Sequence, residues 1–462
     1  MKPPPAPPTW EKPVPRLARE RLAKIALLGP GAARDDLYLD WDELQHRTPP
    51  AGLTREEWWM ALRLGRNLSA RPIPLRRDAN TPFVFNLPGR LLAQLHDLDR
   101  NRDGGGVFPG IVAHRETRDR YAVRSLVHEA IASSQLAGAA IPHEVAKEML
   151  RTGRAPRDRT ERMIANTHAA LGQVSRLRES SLTPELVLEI QRVMTEGTVL
   201  PADAAGRLRR ADEPARCEDQ RAGASSAPPL ANDPPARLDA LCEFANGRTP
   251  DFFVPPPVRA ILLHFWLRHE QPFVQGNGRV ARALFYWSML RHDYRLFELL
   301  SISEILVAGP QPYAMAFVQA RPDENDLTYF ILHQATAIAE AVAALREHAA
   351  RRSDGLRASR EKLRALAGLN HRQQILLAHA LREPGTEYVI EGHRRTHAVT
   401  FQTARDDLFD LVAQGWLNVT KEGRQNVFRA PADLGQTLGK PEPEAVTAPT
   451  VAEDPSLPMN LR

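Results

Sequence analysis

Residues 271–282 read Gln-Pro-Phe-Val-Gln-Gly-Asn-Gly-Arg-Val-Ala-Arg, and this stretch decides how the rest of the chain is interpreted. Apolar residues repeat at helical spacing on both sides of it, over residues 257–270 and 278–291. Small and polar residues interrupt that pattern between the two segments. The sequence therefore predicts a helix, a tight turn, and a second helix that starts inside the quoted stretch.

The turn has the features of a polyphosphate site. Gly276, Asn277 and Gly278 open the second helix, where small residues let backbone N–H groups point at one spot. The start of a helix adds a partial positive charge. Arg279 and Arg282 are three positions apart, so they share a helix face. Guanidinium groups, backbone N–H groups and a helix N-terminus together are well suited to bind phosphates.

The composition is that of an ordinary globular protein. The 462 residues allow roughly two to four domains, and 43% hydrophobic with 25% charged residues excludes a wholly disordered, collagen-like or disulfide-stapled chain. Cys217 and Cys242 fit a reducing compartment and exclude a metal cluster built on cysteine. No apolar run approaches the ~18 residues of a membrane helix, and the N-terminus lacks the apolar stretch of a signal peptide. We therefore expect a cytoplasmic protein without a membrane partner.

Periodicity predicts a mainly helical chain with a few short strands. The further predicted helices lie at residues 16–29, 55–68, 88–98, 122–135, 143–150, 160–175, 184–196, 238–245, 312–320, 327–349, 371–381 and 401–414, and the predicted strands at 83–85, 416–420 and 425–429.

The quoted stretch resembles the signature of Fic (Fido-domain) proteins, usually HPFx[DE]GNGRxxR. Further segments resemble one bacterial subfamily of Fic proteins; they lie at residues 133–136, 145–150, 241–247, 265–300 and 325–332. The resemblance covers roughly residues 80–430 and implies a mainly α fold class. The fold that the resemblance implies consists of a Fic helical domain with a small β-hairpin flap, followed by a C-terminal winged helix-turn-helix.

Composition and resemblance together predict six segments. They are a disordered Pro-rich head at 1–15, an N-terminal Fic-associated region at 16–120, the Fic domain at 121–345, a helical linker at 346–369, the winged helix-turn-helix at 370–431, and a disordered tail at 432–462.

The resemblance implies transfer of AMP from ATP to a hydroxyl side chain of a target protein. In the family the motif His is the base on that hydroxyl and the acidic residue holds Mg²⁺ at the phosphates. The Gly-Asn-Gly turn and the two arginines hold the phosphates, which assigns nucleotide binding to Gly276, Asn277, Gly278, Arg279 and Arg282. The implied ligand is ATP or another nucleotide, and the target protein is left unidentified.

The two positions that carry the chemistry do not match the family. Gln271 stands at the His position, and a glutamine amide cannot accept and release a proton near neutral pH. Gln275 stands at the acidic position, and a neutral amide oxygen is a poor Mg²⁺ ligand beside a carboxylate. On a helix His269 points about 200° away from position 271 and His264 lies about 10 Å distant. We interpret both histidines as surface or packing residues.

A third departure concerns regulation. Many Fic proteins carry an inhibitory helix with the pattern [ST]xxxE[GN], whose Glu pairs with the second motif Arg. The match here begins at Ser133 and ends at Ala137 and Gly138, so alanine occupies the Glu position. Loss of the base, the acid and the inhibitory Glu together favours a pseudoenzyme over a deregulated enzyme.

The segment before residue 233 has two interpretations. Residues 206–209, Gly-Arg-Leu-Arg, resemble the start of the target-docking flap of relatives. The insert at 211–232 is poor in β-branched residues, so a plain loop and a docking flap stay open. Its acidic residues are interpreted as solvated loop charge.

The winged helix-turn-helix pattern at 370–431 predicts a contact with DNA. In winged helix-turn-helix modules Gln402, Thr403 and Arg405 would reach base edges, and Arg424 in the wing would contact phosphate. Asp406 beside them is unfavourable close to phosphates. Winged helices also form protein or dimer contacts, so a homodimer stays open.

Three hypotheses follow. The first is a Fic protein that resembles adenylyltransferases, keeps the nucleotide-phosphate site, and is weak or inactive in transfer. The second is a winged-helix DNA-binding transcriptional regulator that uses the Fic domain as a sensing or dimerising scaffold. The third is a working transferase with a different base.

Overall fold

The computed structural model describes most of the chain. The described residues are 7–8, 19–28, 37–50, 52–76, 81–105, 115–215, 233–320, 323–365, 368–382, 385–422, 425–431 and 433–434. The chain forms two compact units, Met1–Arg346 and Glu347–Arg462, each described separately below. The predicted head and tail lie almost wholly outside the described residues.

The first unit is helical apart from one small sheet. Its helices are α1 (Arg19–Leu28), α2 (Trp41–Gln45), α3 (Arg55–Ser69), α4 (Gly89–Arg100), α5 (Arg115–Leu136), α6 (His143–Thr152), α7 (Arg159–Arg176), α8 (Pro184–Thr195), α9 (Pro234–Ala245), α10 (Pro256–Glu270), α11 (Asn277–Arg291), α12 (Ile302–Ala308) and α13 (Pro310–Gln319), followed by the first part of α14 (Thr328–Ala365). The strands β1 (Arg71–Arg76) and β2 (Pro82–Phe85) pair antiparallel.

Helices α10 and α11 form the centre of this unit. Nearly every residue of both helices is buried, which is the pattern of helices surrounded by others rather than of a surface helix. Trp266 on α10 and Trp287 on α11 are among the largest fully buried side chains. Helices α7 and α8 pack against α11, and α5 packs against α7. The turn between α10 and α11 is therefore held from several sides.

After the end of α14, the second unit has the order helix, strand, two helices and two strands. The elements are α15 (His371–Arg382), β3 (Glu387–Val389), α16 (Ile390–His397), α17 (Phe401–Ala413), β4 (Asn418–Glu422) and β5 (Gln425–Arg429). The sheet is antiparallel with β5 in the centre. Thr400 caps the start of α17, because its side chain accepts a hydrogen bond from the backbone N–H of Thr403. The helix ends before Gly415, which has a φ of +78°. The order agrees with the predicted winged helix-turn-helix, which stays a prediction.

The mainly α fold class is confirmed, with some differences in detail. The sequence missed α2, α12, β1, β3 and α16, which are short or polar and are fixed by tertiary contacts. The predicted flap hairpin does not form over residues 206–215, which contain turns and no strand; residues 216–232 lie outside the described range. The paucity of β-branched residues there explains the missing strand. Over the described part of the chain, no helix has both the length and the apolar character needed to cross a membrane.

Candidate functional site

The turn between α10 and α11 depends on two left-handed residues. Gln271 ends α10 with φ +47° and ψ +58°, and Gly276 precedes α11 with φ +89°. Glycine suits position 276 for a second reason, because a Cβ there would lie 2.8 Å from the Thr195 methyl group. Asn277 closes the loop, since its side chain accepts from the backbone N–H of Phe273 at 3.0 Å and donates to its carbonyl at 2.8 Å. The Phe273 side chain is fully buried and anchors the turn.

Arg279 binds the end of a neighbouring helix. The side chain is 1% exposed, and its Nη1 donates to the carbonyl of Met194 at 2.8 Å. Met194 lies in the last turn of α8, where backbone carbonyls have no partner within the helix. A cation is favourable at this end of a helix dipole. The structure thus gives Arg279 a structural partner in addition to its predicted role at a phosphate.

Arg282 binds the end of α5 in the same way. Its Nε donates to the Ser133 hydroxyl at 2.8 Å and its Nη2 donates to the Ser133 carbonyl at 2.7 Å. The carbonyl is available because the backbone N–H of Ala137 turns to Ser134 instead. Ser133 therefore binds the Arg282 guanidinium, with which a glutamate at position 137 would pair in the family pattern. The remaining nitrogen, Nη1, lies 3.3 Å from where a Cβ on Gly278 would stand.

The segment after α8 covers the loop. The backbone N–H of Arg209 donates to the carbonyl of Pro272 at 2.9 Å, and its Nε donates to the carbonyl of Gln271 at 2.8 Å. Gln191 on α8 joins the two segments, because its Nε2 donates to the carbonyl of Gln275 at 3.2 Å and its Oε1 accepts from the backbone N–H of Gly206 at 2.5 Å. The start of the predicted flap is consequently attached to the backbone of the motif.

Both substituted positions are buried in this turn. Gln271 is 9% exposed and Gln275 is 8% exposed. The Oε1 atom of Gln275 is buried and has no hydrogen-bond partner among the described residues. A buried acceptor without a donor costs about 1–3 kcal/mol, so this oxygen is available to a donor that enters the site. Neither amide can act as a general base at neutral pH.

The two nearby histidines serve packing, in line with the prediction for them. The Nε2 of His264 lies 2.9 Å from the Tyr313 hydroxyl, in a pocket of aromatic rings. Burial, together with the charges of Arg282, Arg268 and His333, lowers the pKa of His264 well below its ordinary value. His269 stacks against Phe265 and meets Phe83 edge to face.

The described residues suit phosphate better than Mg²⁺. For phosphate the loop offers the start of α11 and the Nη1 edge of Arg282. For Mg²⁺ it offers the amide of Gln275, a weak ligand. Glu270 is next to the motif, but its carboxylate pairs with Arg237 at 2.6 Å. Burial raises the pKa of Glu270, while Arg237 and Arg209 act in the opposite direction. In the described part of the chain, the motif therefore does not fit a tightly held Mg²⁺ ion.

Three of the four predicted DNA-contacting residues lie on α17 of the second unit. Gln402 and Arg405 are exposed on α17, and Thr403 is half-buried. Gln402 donates to Asp406 at 2.7 Å, and Arg405 lies 3.8 Å from the same carboxylate and above the Phe409 ring. Arg424 lies outside the described residues. The charge of Arg405 is thus partly neutralised by Asp406.

Sequence reasoning missed two residues of the site, Gln191 and Met194. Gln191 is fully buried, although glutamine is usually exposed. Its spacing from Val187 and Met194 places it on the apolar face of α8, and a polar residue on such a face is a signal for a specific hydrogen bond. The Met194 contribution is a backbone carbonyl, which side-chain chemistry cannot reveal.

These observations define a helical domain built around a glycine turn with two buried arginines. Residues 181–289 match the model of the Fic/DOC family, and this range contains α8, α10, α11 and the turn. The protein therefore contains a Fic domain, as the sequence resemblance predicts. The predicted outer limits of that domain, residues 121 and 345, stay predictions.

Solved structures similar to this chain include three with Fic in their descriptions. A Fic family protein from Desulfovibrio desulfuricans G20 is 16% identical, with a TM-score of 0.47 over 74% of this chain and 95% of that one. Residues 134–508 of Fic-1 from C. elegans are 18% identical, with a TM-score of 0.43 over 57% and 73%. A Fic domain containing signaling protein from Bacteroides thetaiotaomicron VPI-5482 is 17% identical, with a TM-score of 0.43 over 55% and 95%. No curated protein matches the chain.

Proposed function

We propose that the Fic domain binds the phosphates of ATP or another nucleotide at the start of α11 and transfers AMP weakly or not at all. The observation behind the proposal is a contrast within one loop. The Gly276 turn and the Nη1 edge of Arg282 are suitable for phosphate. The two positions that would need a base and a carboxylate hold Gln271 and Gln275.

The nucleotide would meet a site with few spare donors. Arg279 donates to Met194, and two of the three nitrogens of Arg282 donate to Ser133. The phosphates would therefore depend on backbone N–H groups of the turn and on one guanidinium edge. Mg²⁺ would add little, because the loop offers Gln275 in place of a carboxylate. We expect ATP to bind with similar affinity in the presence and absence of Mg²⁺.

Nucleotide binding is tested by titrating the full chain with ATP in a calorimeter. Arg282→Ala should weaken binding at least tenfold, because it removes the guanidinium whose Nη1 lies beside Gly278 at the start of α11. Arg282→Lys keeps a charge and tests whether charge alone supports binding, and circular dichroism of both variants verifies that they are folded. Arg291→Ala, at the far end of α11, is the matched control and should bind as the native protein does. Equal ATP binding by Arg282→Ala and the native protein would disprove the phosphate site.

Transfer is tested by incubation with α-³²P-ATP and host lysate, comparing the native protein with Gln271→His. We expect labelling to be stronger in Gln271→His, since histidine restores a group that accepts a proton near neutral pH. If the native protein labels as strongly as the variant and loses the labelling in Arg279→Ala, a different base is at work. That result would contradict the inactive site while leaving nucleotide binding intact.

A second candidate function is DNA binding by the second unit. It is favoured by the exposed positions of Gln402 and Arg405 on α17. Binding of a duplex should weaken steeply between 50 and 200 mM salt, as phosphate contacts require. Arg405→Ala should reduce it, whereas Arg357→Ala, an exposed arginine on α14, should not. Equal binding by the two variants would leave α17 without a role at DNA.

A further inference from the structure

A cluster of two histidines and a glutamate lies outside the motif. His128 is on α5, His143 is the first residue of α6, and Glu304 is in the first turn of α12. One ligand atom from each of the three residues lies within 4.8 Å of those of the other two. His128 and His143 meet edge to face with ring centroids 5.0 Å apart. The three helices thus bring together side chains that are far apart in the sequence.

We propose that His128, His143 and Glu304 bind a Zn²⁺ ion. Two imidazoles and one carboxylate are a donor set that zinc accepts, and solvent water can take the fourth position. Imidazole nitrogens favour zinc over Mg²⁺ or Ca²⁺, which prefer oxygen ligands. The side chains of His143 and Glu304 are 36% and 45% exposed, so water and an incoming ion can reach them.

The spacing needs only small side-chain movements. Zinc–nitrogen distances of about 2.0–2.1 Å in a tetrahedral site place neighbouring ligand atoms about 3.3 Å apart. The Nδ1 of His128 lies 2.7 Å from the Oε1 of Glu304, in a hydrogen bond that the ion would replace. The His143 ring would move closer by an amount that rotation of an exposed side chain can supply.

The backbone beneath two of the ligands is held firmly. Glu129, next to His128, is buried and accepts from the backbone N–H of Ser303 at 3.0 Å, next to Glu304. The same carboxylate accepts from the hydroxyl of Tyr286 at 2.9 Å. This network fixes α5 against α12 and so presets the distance between His128 and Glu304.

The third ligand is held by apolar packing. Ala146 and Met149 on α6 pack with Ile131 on α5 in one buried cluster. His143 begins this helix, so its position relative to His128 follows from that packing. Three helices that are already packed together therefore present the ligands, without a rearrangement of the backbone.

The affinity should be moderate. The other ring nitrogen of His128, Nε2, is buried without a hydrogen-bond partner among the described residues. Zinc-binding histidines usually donate this second N–H to an acceptor, and loss of such a partner weakens metal binding about 10–100-fold. We therefore expect a dissociation constant in the micromolar range.

The test is a zinc titration of the full chain after treatment with a chelator, using a chromophoric chelator as competitor. The native protein should bind one zinc ion per chain. His143→Ala and Glu304→Gln should each weaken that binding at least tenfold, because each removes one of the three ligands. Both changes lie at partly exposed positions, and circular dichroism verifies that the variants are folded.

His96→Ala is the matched control, since His96 is exposed on α4. It should bind zinc as the native protein does. Thermal unfolding gives a second measurement: zinc should raise the melting temperature of the native protein and of His96→Ala, but not of Glu304→Gln. Absence of micromolar zinc binding by the native protein, or unchanged binding in both ligand variants, would overturn the proposal.

Discussion

The replacement Gly276→Ala tests whether the turn of the motif is built as described. The residue has φ +89°, a region in which an L side chain costs about 1–2 kcal/mol. The new methyl group would also stand 2.8 Å from the Thr195 methyl, and overpacking of this kind costs about 1–3 kcal/mol. The loss of chain freedom in the unfolded state offsets up to about 1 kcal/mol. Together these effects should destabilise α11 by about 1–5 kcal/mol.

Gly278→Ala is the matched control two residues further along. It lies inside α11, where alanine gains up to about 1 kcal/mol of helix propensity over glycine. Its Cβ would lie 3.3 Å from the Nη1 of Arg282 and 3.9 Å from the Cδ and Nε of Arg268, which are the far ends of two long side chains rather than backbone. Amide hydrogen exchange of peptides covering 256–291 gives the free energy of local opening. The reasoning is refuted if Gly276→Ala and Gly278→Ala lower the protection of α11 by the same amount.

Three further predictions concern buried polar groups. Ser133→Ala removes the hydroxyl that accepts from Arg282 and should lower the free energy of unfolding of the first unit, measured in urea, by about 1–3 kcal/mol. Ser181→Ala, at an exposed position, should leave it unchanged, and equal values for the two variants would contradict the contact. Burial lowers the pKa of His264 well below its ordinary value. The free energy of unfolding that the neutral ring contributes is therefore complete above about pH 6.5 and falls by about 1.4 kcal/mol per pH unit below it. In urea titrations, the free energy of unfolding should fall less between pH 7.5 and pH 5.5 for His264→Gln than for the native protein. An identical fall would show that protonation of His264 does not cause the pH dependence. Asp407→Asn weakens the hydrogen bonds with Arg372 at 2.7 Å and Asn370 at 2.6 Å and should reduce the amide protection of α17 by about 1–3 kcal/mol. Asp410→Asn, at an exposed position, should leave that protection unchanged. Protection that survives Asp407→Asn would show that these bonds contribute little.

Long periodic segments were the part of the fold that the sequence could predict. The predicted bounds of the helix at 278–291 differ from those of α11 by only one residue. The agreement is close because glycine marks one end of the helix and a change from apolar to polar residues marks the other. Helix α12 was missed, since its seven residues are too few to establish a period. Strand β3 has only three residues and is defined by its pairing with β5. Short elements of this kind depend on contacts that a local pattern does not contain.

The candidate site divides along the same line. The turn was predictable, because Gly276 and Gly278 are local signals of backbone conformation. The partners of the arginines were not, since Ser133 is 149 positions from Arg282 and Met194 is 85 positions from Arg279. In both cases the acceptor includes a backbone carbonyl at a helix end. No residue type marks such an acceptor, so only the packing of the helices reveals it.

The internal partners also change what the surviving motif implies about activity. Gly276 is required by backbone geometry, Asn277 closes the loop, and Arg279 and Arg282 bind the ends of α8 and α5. Each of these residues therefore stabilises the fold whether or not AMP is transferred. Gln271 and Gln275 hold the two positions whose family roles are purely chemical, and these are the positions that differ. A chain under such constraints can keep most of the motif after the chemistry is lost, so the motif alone does not demonstrate catalysis. The comparison of Gln271→His with the native protein separates the structural role from the chemical one, because it introduces a proton acceptor at position 271 and leaves the four structural residues in place.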